Sequence, residues 1–266
     1  MTVTTASPHQ RRQPEERPPT PYPHEIEERS VRNAGLVAGV AILLMSALAI
    51  FGNFIVLEGL VTPGDASATA KAITGSLLTF RLGIVSLLMI VVLDVVVSWG
   101  LFRAFAPVNE GLSRLAAWFR LAYSGVFLVA IGHLAGVVRL LGTEGYLAAF
   151  SLEQRQVQAL LEINAFTDIW DAGLVLFGAH LLIAGFLTYR SGFVPKFVGV
   201  LLVIAGFGYI FDSVAATMAG GAFPAISSFT FLGEFVLALW LVVRGRRIRL
   251  DRPSGYAGRR QPEGGF

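Results

Sequence analysis

The chain lacks cysteine and carries few charged residues. No Cys occurs among its 266 residues, which excludes disulfide bonds, thiolate metal ligands and a cysteine nucleophile. Charged residues make up 15% of the sequence, whereas a soluble domain carries about 25%. The glycine-rich phosphate loops and the Gly-x-Ser-x-Gly nucleophile elbow are absent from the sequence as well. These absences argue against a soluble enzyme, and we expect neither a cofactor nor a catalytic centre.

Hydrophobic residues make up 54% of the chain, and most of them lie in six long segments. Each segment has 19–24 residues, enough for a helix to cross a hydrocarbon core of about 30 Å. In lipid the backbone must satisfy its own hydrogen bonds, so these segments should be helical. We predict an all-α integral membrane bundle of six transmembrane helices: Ala34–Leu57, Leu82–Phe102, Leu115–Val138, Ile169–Tyr189, Phe197–Met218 and Ala225–Val243.

The distribution of basic residues predicts the orientation. Of the 21 basic residues, 17 fall on the side that both termini share, so we expect both termini to be cytoplasmic. Residues 1–33 are rich in proline and charge and predict a disordered tail, 34–243 form the membrane domain, and 244–266 form a basic tail. We therefore expect the protein to reside in a bacterial cytoplasmic membrane. We do not expect it to bind nucleic acid, because the basic residues form no patch with interleaved aromatic residues. The expected contacts with anionic lipid headgroups are Arg244, Arg246, Arg247 and Arg249.

Two connections on the opposite side are long. After a Pro-Gly turn, Asp65 is placed to cap a short helix. Residues 140–168 contain Ser151 followed three residues later by Gln154, the spacing of a capping box. We predict a short amphipathic helix here, lying on the outer interface.

Ionisable residues inside the spans are the candidate functional groups, because each costs about 2.5–3.5 kcal/mol to bury at a helix centre. Counted from the outer ends at 1.5 Å per residue, Asp94, His180 and Glu234 lie about 14–18 Å deep. The ligand- or proton-binding candidates are Asp94, His180, Asp212, Glu234, His133 and Asp171. Arg120 is expected to extend its guanidinium to the cytoplasmic face. Candidate ion pairs at the outer rim involve Glu58, Arg81 and Arg139.

Small residues predict close helix packing. Gly35 with Gly39, and Gly132 with Gly136, have the GxxxG spacing that allows helices to approach. Close packing within one bundle and homo-oligomer formation both remain open on this pattern.

Several short sequence motifs, taken in their order along the chain, resemble a bacterial membrane family known as domain of unknown function 4386. They are Arg32-Asn33-Ala34-Gly35, Pro63-Gly64-Asp65, Phe80-Arg81-Leu82-Gly83-Ile84, Pro107-Val108-Asn109, Asp171-Ala172-Gly173-Leu174, Phe177-Gly178-Ala179-His180, Arg190-Ser191-Gly192, Gly208-Tyr209 with Asp212, Gly233-Glu234 and Leu239-Trp240-Leu241. The resemblance covers residues 30–245. It implies a multi-helix membrane protein and no particular activity.

Three functions are compatible with these residues. The first is a membrane protein that binds or translocates a small polar ligand or protons through an outward-facing polar cavity. A non-catalytic membrane scaffold, in which the polar groups hold helices together, is the second. The third is an intramembrane metal hydrolase that uses His133, His180 and Asp212, although their spacing matches no metal-binding motif.

Overall fold

The described residues of the chain form helices throughout. The computed structural model describes residues 23–142, 145–219 and 232–245. Seven α-helices lie in these ranges: α1 (Pro23–Ala49), α2 (Ala66–Gly75), α3 (Leu77–Phe105), α4 (Glu110–Leu140), α5 (Leu152–Arg190), α6 (Lys196–Ala219) and α7 (Leu232–Arg244). A π-helical stretch, Ile50–Leu57, and the turn Glu58–Leu60 continue α1 without a break.

Five of the helical stretches are long and apolar enough to cross a membrane. They are Glu28–Leu60, Leu77–Phe105, Glu110–Leu140, Leu152–Arg190 and Lys196–Met218. The chain is therefore a multi-pass membrane protein. The sixth predicted span, Ala225–Val243, lies partly outside the described residues, since only its portion in α7 is seen.

The long helices and α7 form a closed ring. Helix α1 packs against α3, and each helix from α3 to α7 packs against the next one in the chain. Helix α7 then packs against α1, where the Gly39 backbone lies so close that an added Cβ would stand 2.9 Å from the carbonyl oxygen of Ala238. We call the end of the ring where α1 begins and α7 ends the tail side. The opposite end, which carries α2, is called the α2 side.

Local signals in the sequence set the starts of several helices. The Asp65 side chain caps α2 by accepting a hydrogen bond from the Ala68 amide at 2.8 Å, and Asn109 caps α4 in the same way. The capping box of Ser151 and Gln154 is present. However, it opens the 39-residue helix α5. The separate amphipathic helix predicted within residues 140–168 is therefore wrong, because the periodic apolar face continues directly into the fourth span.

Helix α1 begins earlier than the sequence predicts. It includes residues 23–33, which fall in the segment predicted as a disordered tail, so that boundary moves toward the N-terminus. Within this extension Val31 is almost completely buried in the bundle. The hydroxyl of Ser30 also accepts a hydrogen bond from Arg103 Nη2 at 3.1 Å. Residues 1–22 of the predicted tail lie outside the described residues.

Candidate functional site

A fully buried arginine lies at the centre of the ring. Arg120, on α4, has a side-chain exposure of 0%. Its Nε donates a hydrogen bond to Oδ1 of Asp94, on α3, at 2.7 Å, and its Nη2 lies 2.7 Å from the same oxygen. A buried ion pair of this kind needs further partners to offset the desolvation of its charges. These partners are Glu234, His180, Ser124 and Phe177.

Glu234 and His180 share the remaining guanidinium nitrogen of Arg120. Nη1 donates to Oε1 of Glu234, on α7, and lies 3.2 Å from Nε2 of His180, on α5. The His180 Nδ1 lies 2.9 Å from the carbonyl oxygen of Ala116. Because a carbonyl oxygen only accepts, Nδ1 carries the proton, and Nε2 of the neutral ring is the acceptor that faces Arg120.

Two side chains complete the surroundings of the ion pairs. The Ser124 hydroxyl lies 3.1 Å from Oδ2 of Asp94 and donates to the Arg120 carbonyl oxygen at 2.9 Å. The ring of Phe177 lies under the guanidinium, with its centroid 5.3 Å from Cζ, a cation–π geometry. Tyr209 packs edge-on against Phe177. We call Asp94, Arg120, His180 and Glu234 the charge cluster.

The charge cluster lies at one level of the bundle. Asp94 is eleven residues from the tail-side end of α3, and the other three are each ten residues from the tail-side ends of their helices. At 1.5 Å per residue this distance is about 15 Å, half the thickness of a hydrocarbon core. The four residues therefore lie at one level, about 15 Å from the tail-side ends of their helices.

The location of Arg120 corrects the sequence interpretation. We expected its guanidinium to reach the cytoplasmic face, but it is directed into the bundle and bonded to two carboxylates. Extension to the interface would leave Asp94 and Glu234 buried without a cation, which is strongly destabilising. The sequence gives only part of this result: Arg120 is the only Lys or Arg inside a predicted span, but nothing in the sequence shows which way its side chain is directed.

Asp212 and Asp171 lie nearer the α2 side than the charge cluster does. Asp212 is buried on α6, and Asp171 is half-buried on α5. The charges of Asp168 and Asp212 both act on Asp171. Those of Asp212 and Glu234 both act on the hydroxyl of Tyr209. Asp171, Asp212 and Tyr209 thus lie on the α2 side of the charge cluster.

His133 is far from His180. It lies on the α2-side half of α4, where Nδ1 is 2.6 Å from Oε2 of Glu162, on α5. His180 instead contacts Ala116, which is seventeen residues, or about 26 Å, before His133 on the same helix. The described structure therefore does not assemble His133, His180 and Asp212 into one site, as the metal hydrolase hypothesis requires.

The outer-rim ion pairs are also not formed among the residues that the structure describes. Arg81 and Arg139 are exposed, and neither has a carboxylate within 4.0 Å there. Glu58 instead accepts a hydrogen bond from Asn53, one turn earlier in the same helix, at 3.3 Å.

Within the described residues the charge cluster is packed rather than open. Asp94, Arg120 and His180 are at most 1% exposed, and the cavity found beside them has a volume of only about 10 Å³. That cavity lies toward the tail side and is lined by His180, Ser98 and Ser113. An outward-facing polar cavity, as predicted, is not seen around the cluster in this part of the chain, because paired side chains fill the space.

Comparison of the sequence with known proteins shows the family to which the chain belongs. A family model described as Domain of unknown function (DUF4386) matches residues 37–245, a range that contains all four members of the charge cluster. A relative from Archaeoglobus fulgidus, described as "Uncharacterized protein", is 33% identical over 165 residues, which is 62% of this chain and 85% of the relative. No solved structure matches the chain.

Proposed function

The chain belongs to the family Domain of unknown function (DUF4386), and since that description states no activity, we propose a function from the charge cluster. The protein is a six-span protein of the bacterial cytoplasmic membrane that binds a proton at mid-membrane and passes it along the bundle. The observation that carries this proposal is the charge balance of the cluster. One arginine faces two carboxylates, while His180 is oriented as a neutral ring.

The charge balance favours proton binding for an electrostatic reason. If Asp94 and Glu234 were both ionised, the cluster would hold one uncompensated negative charge in a medium of low dielectric constant. Two carboxylates that share one site resist being ionised together, so the pair retains a proton that can be exchanged. In this proposal the proton reaches the pair through Glu234, since its side chain is 17% exposed whereas that of Asp94 is buried.

Groups on both sides of the cluster support a path for the proton. Toward the α2 side, Tyr209 lies within electrostatic reach of both Glu234 and Asp212, and Asp171 follows. Toward the tail side, the water-sized cavity beside His180 extends to Ser113 near the start of α4. A cavity of this volume is at the lower limit for one water molecule.

We expect a Glu234→Gln variant to remove the exchangeable proton, because an amide of the same shape cannot ionise. Wild-type protein in liposomes should give an infrared band of a protonated carboxyl group that changes with pH, and this change should be absent from the variant. An imposed pH gradient should also decay at least about tenfold more slowly in liposomes that hold the variant.

The matched control is Glu110→Gln, which removes an exposed carboxylate that pairs with Arg114 at the start of α4. This control should behave as the wild type does in both measurements. A pH-dependent carboxyl band that is identical in the wild type and in Glu234→Gln would contradict the proposal, as would equal rates of gradient decay in the wild type, the variant and protein-free liposomes.

A scaffold function is the second candidate, and one observation favours it. Each member of the charge cluster has a partner on another helix, so the cluster joins α3, α4, α5 and α7 as a purely structural network would. In that case Glu234→Gln should lower the free energy of unfolding while neither the infrared band nor the gradient decay changes. The two measurements together therefore separate the candidates.

The proposed orientation has its own test, since the cysteine-free chain accepts single labelling sites. Gly111→Cys, at the tail side, and Gly75→Cys, at the α2 side, place new side chains where nothing hinders them closely. In intact spheroplasts a membrane-impermeant maleimide should label Gly75→Cys and should label Gly111→Cys only after lysis. Six spans predict that Ser254→Cys, in the C-terminal tail beyond the described residues, behaves as Gly111→Cys does; labelling of Ser254→Cys before lysis would contradict an even number of spans.

Lipid contact at the tail side belongs to the same proposal. Arg244 is exposed at the end of α7, where a cation meets the headgroup region. Arg246, Arg247 and Arg249, the other predicted contacts of anionic headgroups, lie outside the described residues.

A further inference from the structure

A cavity separate from the charge cluster lies between the last turns of α4 and the first turns of α5. Its volume is about 410 Å³, within the range of small-molecule sites. Its lining divides into two chemical kinds. The polar side chains are Arg139, Gln158 and Glu162, and the apolar ones are Leu140, Leu147 and Leu161.

The carboxylate in this cavity is already engaged. Glu162 lies against α4 at Gly136, where an added Cβ would stand 3.2 Å from Cδ of the carboxyl group. From there its Oε2 reaches Nδ1 of His133 at 2.6 Å. Gly136 therefore allows a histidine–carboxylate pair to form at the wall of the cavity, rather than a close approach of two backbones as the GxxxG spacing predicts. Gly132, the other member of that pattern, has nothing within 4 Å of an added Cβ.

The donors in the cavity are not engaged. Arg139 is exposed, and its guanidinium forms no ion pair or hydrogen bond with the residues that the structure describes. Within the same ranges the amide of the half-buried Gln158 has no side-chain hydrogen bond either. The guanidinium of Arg139 and the amide of Gln158 thus line one part of the cavity, and leucines line another. An amphiphile, which has a polar head and an apolar chain, matches this distribution.

We propose that this cavity binds a small amphiphile with a phosphate or carboxylate head and a short alkyl chain. Arg139 pairs with two oxygens of the head, the bidentate geometry that guanidinium forms with such anions. The Gln158 amide donates a further hydrogen bond to an oxygen of the head. Leu140, Leu147 and Leu161 contact the alkyl chain. The head carries a negative charge because Arg139 is the cationic side chain of the lining and forms no ion pair with the described residues, while the Glu162 carboxylate contacts His133. This chemistry is shared by lipid headgroups and by free amphiphilic anions.

Equilibrium binding of radiolabelled octyl phosphate tests the proposal on the full chain in phosphatidylcholine nanodiscs. We expect saturable binding to the wild type and a loss of affinity of about tenfold or more in Arg139→Gln. Arg81→Gln is the matched control, since it removes an exposed arginine from α3 that does not line the cavity, and it should bind as the wild type does. Gln158→Leu, which leaves the charge unchanged, should also weaken binding severalfold.

Nanodiscs that contain phosphatidylglycerol distinguish the two sources of the head. Displacement of octyl phosphate from the wild type in these discs supports a lipid headgroup as the natural occupant, and unchanged binding supports a free amphiphile. The proposal is overturned if octyl phosphate does not bind saturably in either kind of disc. It is equally overturned if Arg139→Gln and Gln158→Leu both bind with the affinity of Arg81→Gln.

Discussion

An Arg120→Met variant is expected to lose about 3–5 kcal/mol of unfolding free energy, the usual result of removing one partner of a buried ion pair. Methionine keeps the apolar stem of arginine and packs adaptably among apolar groups, so the missing charge is the main part of the loss. Asp94 and Glu234 would both stay buried without a cation, and His180 Nε2 would lose its donor. Reversible unfolding in mixed detergent and dodecyl sulfate micelles measures the effect.

The control for this variant lies on the same helix. Arg114 pairs with Glu110, but both side chains are more than half exposed, so Arg114→Met should cost at most about 1 kcal/mol. Neutralising the acids should then restore stability. In the triple variant Arg120→Met, Asp94→Asn, Glu234→Gln we expect at least half of the loss to be recovered, since no unpaired charge remains buried. Equal losses for Arg120→Met and Arg114→Met would show that the cluster is not a paired network.

Counting residues along the apolar segments anticipates part of the candidate site. Long helices that cross the same slab run nearly side by side, so equal distances from their ends predict equal depth, and Asp94, His180 and Glu234 do meet in the bundle. Counting does not predict which way a residue faces. On α6, for example, the contact with Phe177 beside the cluster is made by Tyr209, which was not among the candidates.

The role of Arg120 could not be derived from single-residue rules. An arginine near the end of a span normally extends to the interface, and the sequence does not show that α4 turns this position toward α3 and α7. Helix lengths were also underestimated, because the polar ends of α3, α4 and α5 continue as helix beyond their apolar segments. The all-helical class could be predicted from the composition and the long apolar segments. The family could be predicted from the short motifs and their order along the chain.

The packing of α5 on α6 depends on glycines that the GxxxG pattern overlooks. Gly178 and Gly185 on α5 are seven residues apart, as are Gly199 and Gly206 on α6, so each pair lies on one face. The two faces meet in antiparallel order. A Cβ added at Gly185 would stand 2.8 Å from the carbonyl oxygen of Gly199. A Cβ added at Gly178 would stand 2.7 Å from the carbonyl oxygen of Gly206. These contacts are with backbone, which cannot move aside as a flexible side chain can.

Gly185→Leu should therefore force α5 and α6 apart and lower the unfolding free energy by roughly 1–3 kcal/mol, the usual cost of overpacking. The same micelle unfolding experiment measures it, with Gly132→Leu as the control, since an added Cβ at Gly132 meets nothing within 4 Å. The displacement also bears on the charge cluster, because α5 carries His180 between the two glycines. If Gly185→Leu is as stable as Gly132→Leu, the close approach of α5 and α6 is not what holds His180 against Arg120.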